Sequence, residues 1–283
     1  MSKKYNIPTF LKYINVKGTS SDSIQVVHYD EHKDILLKSE PVELDFYLIA
    51  IKSNIDVQPP IEEMSASYLF LDRPGNLLEW DLAGSFLGYG IFISEKLLKK
   101  YAKDYTFTGY NRHEALYLTE RESRILLDLF KKAHDEYSQI DFSEDVVASY
   151  TTLILSYTQN FYERQFQSRS KIYNQVVVNF YRDLDNYYTR QSDGEQAFPT
   201  VAYFAERNNL SVNYFGDLIK HFTGKSPLEH IHQYIIQVAK EKLRQTKFTV
   251  NEIAYSLGFE YPTYFTRFFR SKTGISPKAY RNQ

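Results

Sequence analysis

Not one of the 283 residues is a cysteine, which excludes disulfides, thiolate metal sites and a thiol nucleophile. No apolar run approaches the roughly 18 residues that a membrane-crossing helix requires. The opening stretch MSKKYNIPTFLKY also lacks the long apolar core of a secretory signal, so the expectation is a cytoplasmic protein without a membrane partner. Patterns that carry catalysis are equally scarce: there is no glycine-rich phosphate loop and no nucleophile set beside a base. His28 and His32 would share one face of a strand, but nothing resembling an HxH…E set lies nearby, and they read as a solvated pair. His230 and His232 would point apart on a helix. No metal, no cofactor and no enzymatic step is therefore expected. A large net charge is missing too, because 34 Lys and Arg against 35 Asp and Glu leave −1.

What is present is enough apolar material for a core. At 43% hydrophobic, the chain's length suggests about two globular domains. The near-neutral total hides a polarity. From Pro199 onward there are 12 Lys or Arg and 6 Asp or Glu, whereas residues 1–198 carry 22 and 29. A basic last third, net +6, beside an acidic remainder, net −7, fits nucleic-acid contact. It also fits a solvated basic face, and charge alone does not separate the two.

A repeat does. The stretch YFTRFFRSKTGISP at residues 264–277 is preceded, 50 residues earlier, by YFGDLIKHFTGKSP at 214–227. The likeness runs further back, since TVNEIA at 249–254 resembles TVAYFA at 200–205 at an offset of 49. One unit therefore carries one extra residue between two helices, where a turn tolerates a change of length. Thr249 with Glu252 forms a capping-box signature for a short helix through Ser256, ended by Gly258 in the turn LGF. A second helix starts near Pro262. In the first unit Ser211 is an N-cap for a helix over 212–222, whose apolar residues Phe215, Leu218, Ile219 and Phe222 share one face, with Gly224 as its stop. Phe265, Phe268 and Phe269, followed by Gly274, repeat that spacing. Ser226–Pro227 and Ser276–Pro277 each place a cap before a proline at the first helical position.

Two short helices joined by a tight turn make a helix-turn-helix, whose second helix can enter a DNA major groove. Between the copies, residues 227–245 read as one amphipathic helix burying Leu228, Ile231, Ile235, Val238, Ala239 and Leu243. At ~1.5 Å per residue it is a strut of roughly 30 Å, close to the ~34 Å between successive major-groove faces on one side of B-DNA. One chain can thus read two adjacent turns. These motifs, above all EIA…LGF…YF…F…TG.SP..YR over 252–281, resemble the double helix-turn-helix domain of AraC/XylS-type bacterial transcriptional regulators. The resemblance covers residues from about 199 to 281. One departure is Ile235, where the linking helix of the family usually carries an arginine.

With the phenylalanines turned inward, the opposite face of the second copy's second helix presents Thr263, Thr266, Arg267 and Arg270, preceded by Tyr261. Arg267 is the expected base reader, since an arginine can donate two parallel hydrogen bonds to guanine O6 and N7. Arg270 and Lys272 are expected to clamp phosphates. The corresponding face of the first copy carries Asn213, Gly216, Asp217 and Lys220. Asn213 can read adenine. Asp217 either accepts from a cytosine amino group, tunes specificity by repulsion, or pairs with a neighbouring arginine. Gly216 costs the helix roughly 1 kcal/mol relative to alanine, either to let the backbone approach DNA closely or as a tolerated defect.

Up to about Ile93, short apolar runs alternate with turn signals such as RPGN at 73–76 and LAGS at 82–85, which reads as an all-β unit. Helical patterns follow. Ser94 caps EKLLKKYAK, Thr119 with Glu122 boxes ERESRILLDLFKKAHDEY, and 142–165 is a long helix bearing Val146, Tyr150, Leu153, Tyr157 and Phe161. A further helix spans 171–188, and RQSDGEQAFP at 190–199 is the natural linker. The fold class is therefore α+β. The family resemblance implies a cupin-like β-barrel with following helices, then an all-α double helix-turn-helix domain. The domains expected are 1–170 for sensing and dimerisation, 171–198 for helix and linker, and 199–283 for DNA. The resemblance also implies pairing of two subunits on the apolar stripes of 119–137 or 143–162, which serve equally for packing within one subunit. Phe46, Tyr47, Phe70, Trp80, Phe86 and Tyr89 read chiefly as core, and could line an apolar pocket.

The leading reading is a transcriptional regulator whose partners are double-stranded DNA and a second copy of the chain, with RNA polymerase and a small-molecule effector as further candidates. Its rival is a ligand-binding or protein-interaction module, an antagonist of a regulator, with a degenerate helix-turn-helix pair. A third reading, a cupin enzyme fused to a targeting domain, lacks a catalytic set. Asp217 and Ile235 favour the rival; Arg267, Arg270 and the basic balance favour DNA.

Overall fold

The computed structural model of the chain describes residues 3–18, 21–52, 64–81, 87–110, 114–189 and 197–282. The chain divides into two compact units, Met1–Ser168 and Arg169–Gln283. The first contains β1 (Lys3–Tyr5), α1 (Ile7–Tyr13), β2 (Ile24–His28), β3 (Val42–Leu44), β4 (Phe46–Lys52), β5 (Met64–Asp72), β6 (Leu77–Leu78) and β7 (Gly88–Ser94). It continues with α2 (Glu95–Tyr101), β8 (Leu116–Thr119), α3 (Glu120–Tyr137) and α4 (Glu144–Ser168).

Strands β2-β7-β4-β5-β8 form a five-stranded antiparallel sheet, and β1-β3-β6 a three-stranded one. Alternation along the strands splits the large sheet into two apolar faces. Ile49, Ile51, Leu69, Ile91, Ile93 and Leu116 are buried on the face that α3 covers. Val27, Leu48, Ala50, Phe70 and Phe92 join a second core with Phe10 of α1 and with Val42, Leu44 and Leu78 of the small sheet. Both faces being covered, the strands read as apolar runs instead of alternating ones. A cavity of about 170 Å³ remains in this second core. Among the described residues the two sheets do not join into a closed barrel.

The RPGN turn forms as its residues dictate. Gly75 takes a φ of +85°, and Asp72 Oδ1 accepts from Arg73 N and Asn76 Nδ2. The LAGS turn, Phe86 and most of the 190–199 linker lie outside the described residues. The all-β reading of the first 93 residues misses α1, where Asn6 and Thr9 make a capping box with a proline in the first turn. Ser94 caps α2, and the Thr119–Glu122 box opens α3 as expected. Among the described residues no helix is long and apolar enough to cross a membrane.

The second unit holds α5 (Ser170–Thr189), α6 (Val201–Arg207), α7 (Val212–Thr223), α8 (Pro227–Gln245), α9 (Val250–Ser256), α10 (Pro262–Thr273) and α11 (Pro277–Arg281). Its core repeats with the sequence: Phe204, Ala205, Phe215 and Ile219 are buried in one half, and Ile253, Ala254, Phe265 and Phe269 in the other. On α8, Ile231, Ile235, Ala239 and Leu243 are buried as the helical period requires. Three positions depart from that wheel, and Val238, expected on the buried face, is only half-buried. Leu228, in the first turn before the helix gains neighbours, is 46% exposed, and Ile236 is buried in its place. Ile235, the departure from the family pattern, is a fully buried core residue.

Candidate nucleic-acid interface

Each copy is built by the same local chemistry. Thr200 and Thr249 cap α6 and α9, and Ser211 caps α7, their hydroxyls accepting from backbone N–H groups of the first turn. The turn between the paired helices spans 208–211 in the first copy and 257–261 in the second, so the extra residue lies in the second. Each turn needs one left-handed residue. Asn209 supplies it at φ +54° and Gly258 at +85°. Gly224 and Gly274 end α7 and α10 in the same conformation, at +75° and +83°. Ser226 with Glu229 then boxes α8, and Ser276 caps α11.

Helix α5 braces the first copy. Its Phe180 ring meets Phe204 and Phe215 edge-on, with centroids 5.2 and 5.4 Å away. Asp183 accepts from Arg207 Nε at 3.1 Å, and the Tyr173 and Tyr214 hydroxyls meet at 2.5 Å. The second copy is held by other means. Phe198, just before α6, packs its ring against Phe259, Phe268 and His232, which ties the start of the first copy to the turn of the second. Arg281 donates to the carbonyls of Leu243 and Phe248, satisfying the C-terminal end of α8 and the connection to α9. The two histidines of the HxH do point apart. His230 meets Thr223 Oγ1 at 2.8 Å and the Tyr181 hydroxyl at 3.2 Å, whereas His232 lies against Phe198 and Phe268. Burial depresses both imidazoles below their ordinary value, Lys225 adding to it for His230 and Lys272 for His232.

On this frame α10 exposes Thr263, Arg267 and Arg270, with Lys272 exposed in the last turn and Thr266 half-buried beside them. Tyr261 stands at the N-cap position without a side-chain capping bond. The Glu260 carboxylate, accepting from its phenol, holds that phenol above its ordinary range. Phe268 is half-buried, not part of the sealed core, and its ring meets those of Phe198, His232 and Phe259. In the first copy Asn213, Gly216 and Asp217 are half-buried, and Lys220 is exposed. A Cβ added at Gly216 would meet nothing within 4 Å, so nothing inside the chain requires glycine there. The wheel reading passed over Tyr264, which is 56% exposed and packs edge-on to Tyr261 at 5.5 Å. Its position three residues after Tyr261 and three before Arg267 was the available signal.

Residues 204–283 match the model of a helix-turn-helix domain family. The chain is similar to YobQ of Bacillus subtilis, described as an uncharacterized HTH-type transcriptional regulator, at 34% identity over 29% of this chain and 34% of that one. It is also similar to the HTH-type transcriptional activator RhaR of Pectobacterium carotovorum, at 34% identity over 28% of each. The chain spans about a third of the length of these relatives. Among solved structures it resembles the C-terminal domain of AraT, a response regulator from Geobacillus stearothermophilus, at 28% identity and a TM-score of 0.34, over 38% of this chain and 84% of that one.

Proposed function

We propose that this chain is an AraC/XylS-type regulator of transcription that binds DNA at specific sequences through its helix-turn-helix domain at residues 204–283. Its second helices, α7 and α10, enter successive major grooves on one side of the duplex. The observation that carries the reading is the face of α10. Phe265 and Phe269 are sealed inside while Arg267, Arg270 and Lys272 are exposed, on a helix set at a fixed turn and repeated by α7. Arg267 reads a guanine edge, Arg270 and Lys272 hold phosphates, and Tyr261, Thr263 and Thr266 line the same approach. Asn213, Gly216, Asp217 and Lys220 form the contact of the first copy. The two facing sheets of the first unit are a cupin-like shell that senses a small molecule. The outer flank of α4, where Val146 and Leu153 are exposed, pairs two subunits. RNA polymerase is the remaining partner, and the role is not enzymatic.

The test is selection of bound sequences from a random DNA pool by the full-length protein, with the affinity of the winner followed against salt. Enrichment of two elements about one helical turn apart, with a steep salt slope, is expected. Absence of any enriched sequence and of salt-sensitive affinity would replace this reading with that of a protein-interaction module.

A further inference from the structure

Helices α7 and α10 sit in separate halves of the core, and more than α8 joins them. Residues 197–200 run along the second copy before they enter the first. A Cβ added at Gly258 would stand 2.5 Å from the Ala197 carbonyl carbon and from the Phe198 nitrogen, so the two backbones are in contact. The Tyr187 hydroxyl of α5 donates to the Ala197 carbonyl at 2.9 Å, which holds the same residue to the first copy's brace. Phe198 then sets its half-buried ring edge-on to Phe259 and Phe268, with centroids 5.1 and 6.4 Å away, and beside His232 of α8 at 6.2 Å. Phe268 adjoins Arg267 in α10, so the ring abuts the helix that carries the exposed arginines.

The next two residues leave this contact little slack. Pro199 is buried; its ring fixes its own φ and favours an extended Phe198 before it. Thr200 follows as the cap of α6, its hydroxyl accepting from Tyr203 N at 3.2 Å. A shift of Phe198 relative to Phe268 must therefore move the start of the first copy. With α8 alone the copies would hang on the two ends of one helix, and long helices bend. A second tie, from α6 to α10, removes that freedom. We infer that Phe198 is a positioning residue that locks α7 and α10 at one separation and one angle, so that the protein accepts a single spacing between its two DNA elements. The inference rests on the DNA-binding reading, and its test separates the two. Linked modules reinforce each other only where the link matches the span between their sites. One base pair inserted between the elements moves the second by ~3.4 Å along the duplex and turns it by roughly 34°. A locked frame cannot follow that change.

The chain has no cysteine, so Glu206→Cys on α6 and Asn251→Cys on α9, both at exposed positions, take a pair of nitroxide labels without competition. Pulsed electron double resonance on the full-length protein free of DNA should give one narrow distance distribution. Phe198→Ala should broaden it, and Phe198→Tyr, which keeps the ring, should not. Circular dichroism checks folding, and Phe198→Leu, with apolar bulk but no ring, takes the place of an alanine variant that does not fold. The unlabelled proteins are then bound to the selected DNA and to versions with one base pair added or removed between the elements. At either changed spacing the parent should lose about tenfold or more, as for a mismatched base pair, and Phe198→Ala less than about threefold. A distribution that stays narrow in Phe198→Ala overturns the inference. So does a parent protein indifferent to spacing, or a loss in Phe198→Ala that is equal at all spacings, which would leave Phe198 as core alone. A broadened distribution without any enriched DNA sequence upholds the tie between the copies and removes the DNA-binding reading.

Discussion

Among the described glycines of the second unit Gly258 is the one whose replacement should cost the most, for a reason that its neighbours make plain. Gly224, Gly258 and Gly274 all hold a left-handed φ, between +75° and +85°. An L-residue in that conformation costs about 1–2 kcal/mol. At Gly224 and Gly274 an added Cβ would meet nothing within 4 Å, so Gly224→Ala and Gly274→Ala should cost that amount alone. At Gly258 the added Cβ would stand 2.5 Å from the carbonyl carbon of Ala197 and from the Phe198 nitrogen. Both are backbone atoms that no rotamer change can move. Overpacking of this kind adds about 1–3 kcal/mol, giving a total near 2–5 kcal/mol for Gly258→Ala. Relief would also pull the turn away from Phe198, whose ring packs on Phe259 and Phe268, so binding at the α10 element should weaken as well. The assay is urea denaturation of the three full-length variants followed by far-ultraviolet circular dichroism, with DNA affinity measured in parallel. A Gly258→Ala cost within error of that for Gly224→Ala would refute the argument, since it rests wholly on the contact with 197–198.

Arg267→Ala should weaken binding to the selected sequence by about 1–3 kcal/mol and relax preference at one base position. Arg270→Ala should weaken all sequences alike and reduce the salt slope by about 1, and a competition assay on sequence variants distinguishes the two patterns. Gly216→Ala should stabilise the free protein by up to about 1 kcal/mol yet weaken DNA binding, because α7 has room for the methyl group and a close-lying duplex does not; unchanged affinity would mean that the glycine is a tolerated defect. His230 and His232 have folded pKa values below the unfolded value of 6.5, so the stability they contribute is present above that value and is lost as the pH falls through the depressed ones. Denaturation at neutral and mildly acidic pH should show a shallower loss for the variant carrying both His230→Gln and His232→Gln than for the parent protein, and parallel curves would contradict this.

The helical half of the molecule was legible because its signals are local. The hydroxyl caps at Ser211, Ser226 and Thr249, the prolines that follow two caps, and the glycines at 224, 258 and 274 act within one turn of their own position. The helix over 227–245 was bounded to the residue for that reason. What escaped depends on distant neighbours. Nothing within a few residues of Phe198 says that its ring will cross to the second copy, and nothing near Leu228 says that no partner will cover it. Phe180 and Asp183 read only as positions on an amphipathic helix until Phe204, Phe215 and Arg207 are folded against them. In the first unit the strands were visible as apolar runs, but the order β2-β7-β4-β5-β8 pairs residues up to about seventy positions apart, a separation no periodicity reports. The aromatic list was divided in the same way. Phe70 and Trp80 line the cavity, while Tyr89 lies on the opposite face of the sheet, half-buried beside His134 of α3 and stacked on His28, its ring centre 4.3 Å away.

The two copies share a scaffold and differ in what they show. Caps, left-handed residues and buried rings recur because each is fixed by backbone conformation or by a sealed core, and a change at any of them costs stability wherever it occurs. The exposed faces are under no such constraint, and they have diverged: α10 carries Arg267, Arg270 and Lys272, whereas α7 offers Lys220 beside the half-buried Asn213, Gly216 and Asp217. Phosphate attraction grows with the number of cations brought to a duplex, so on the proposed reading the second copy would supply most of the affinity and the first would add discrimination with little charge of its own. Helix α5, which follows directly on the last helix of the N-terminal unit, grips the first copy through Phe180, Asp183 and Tyr173. The helix of the first copy proposed to read DNA is thus the one that α5 positions, and, with fewer exposed cations than α10, it depends for any hold on that position more than on charge.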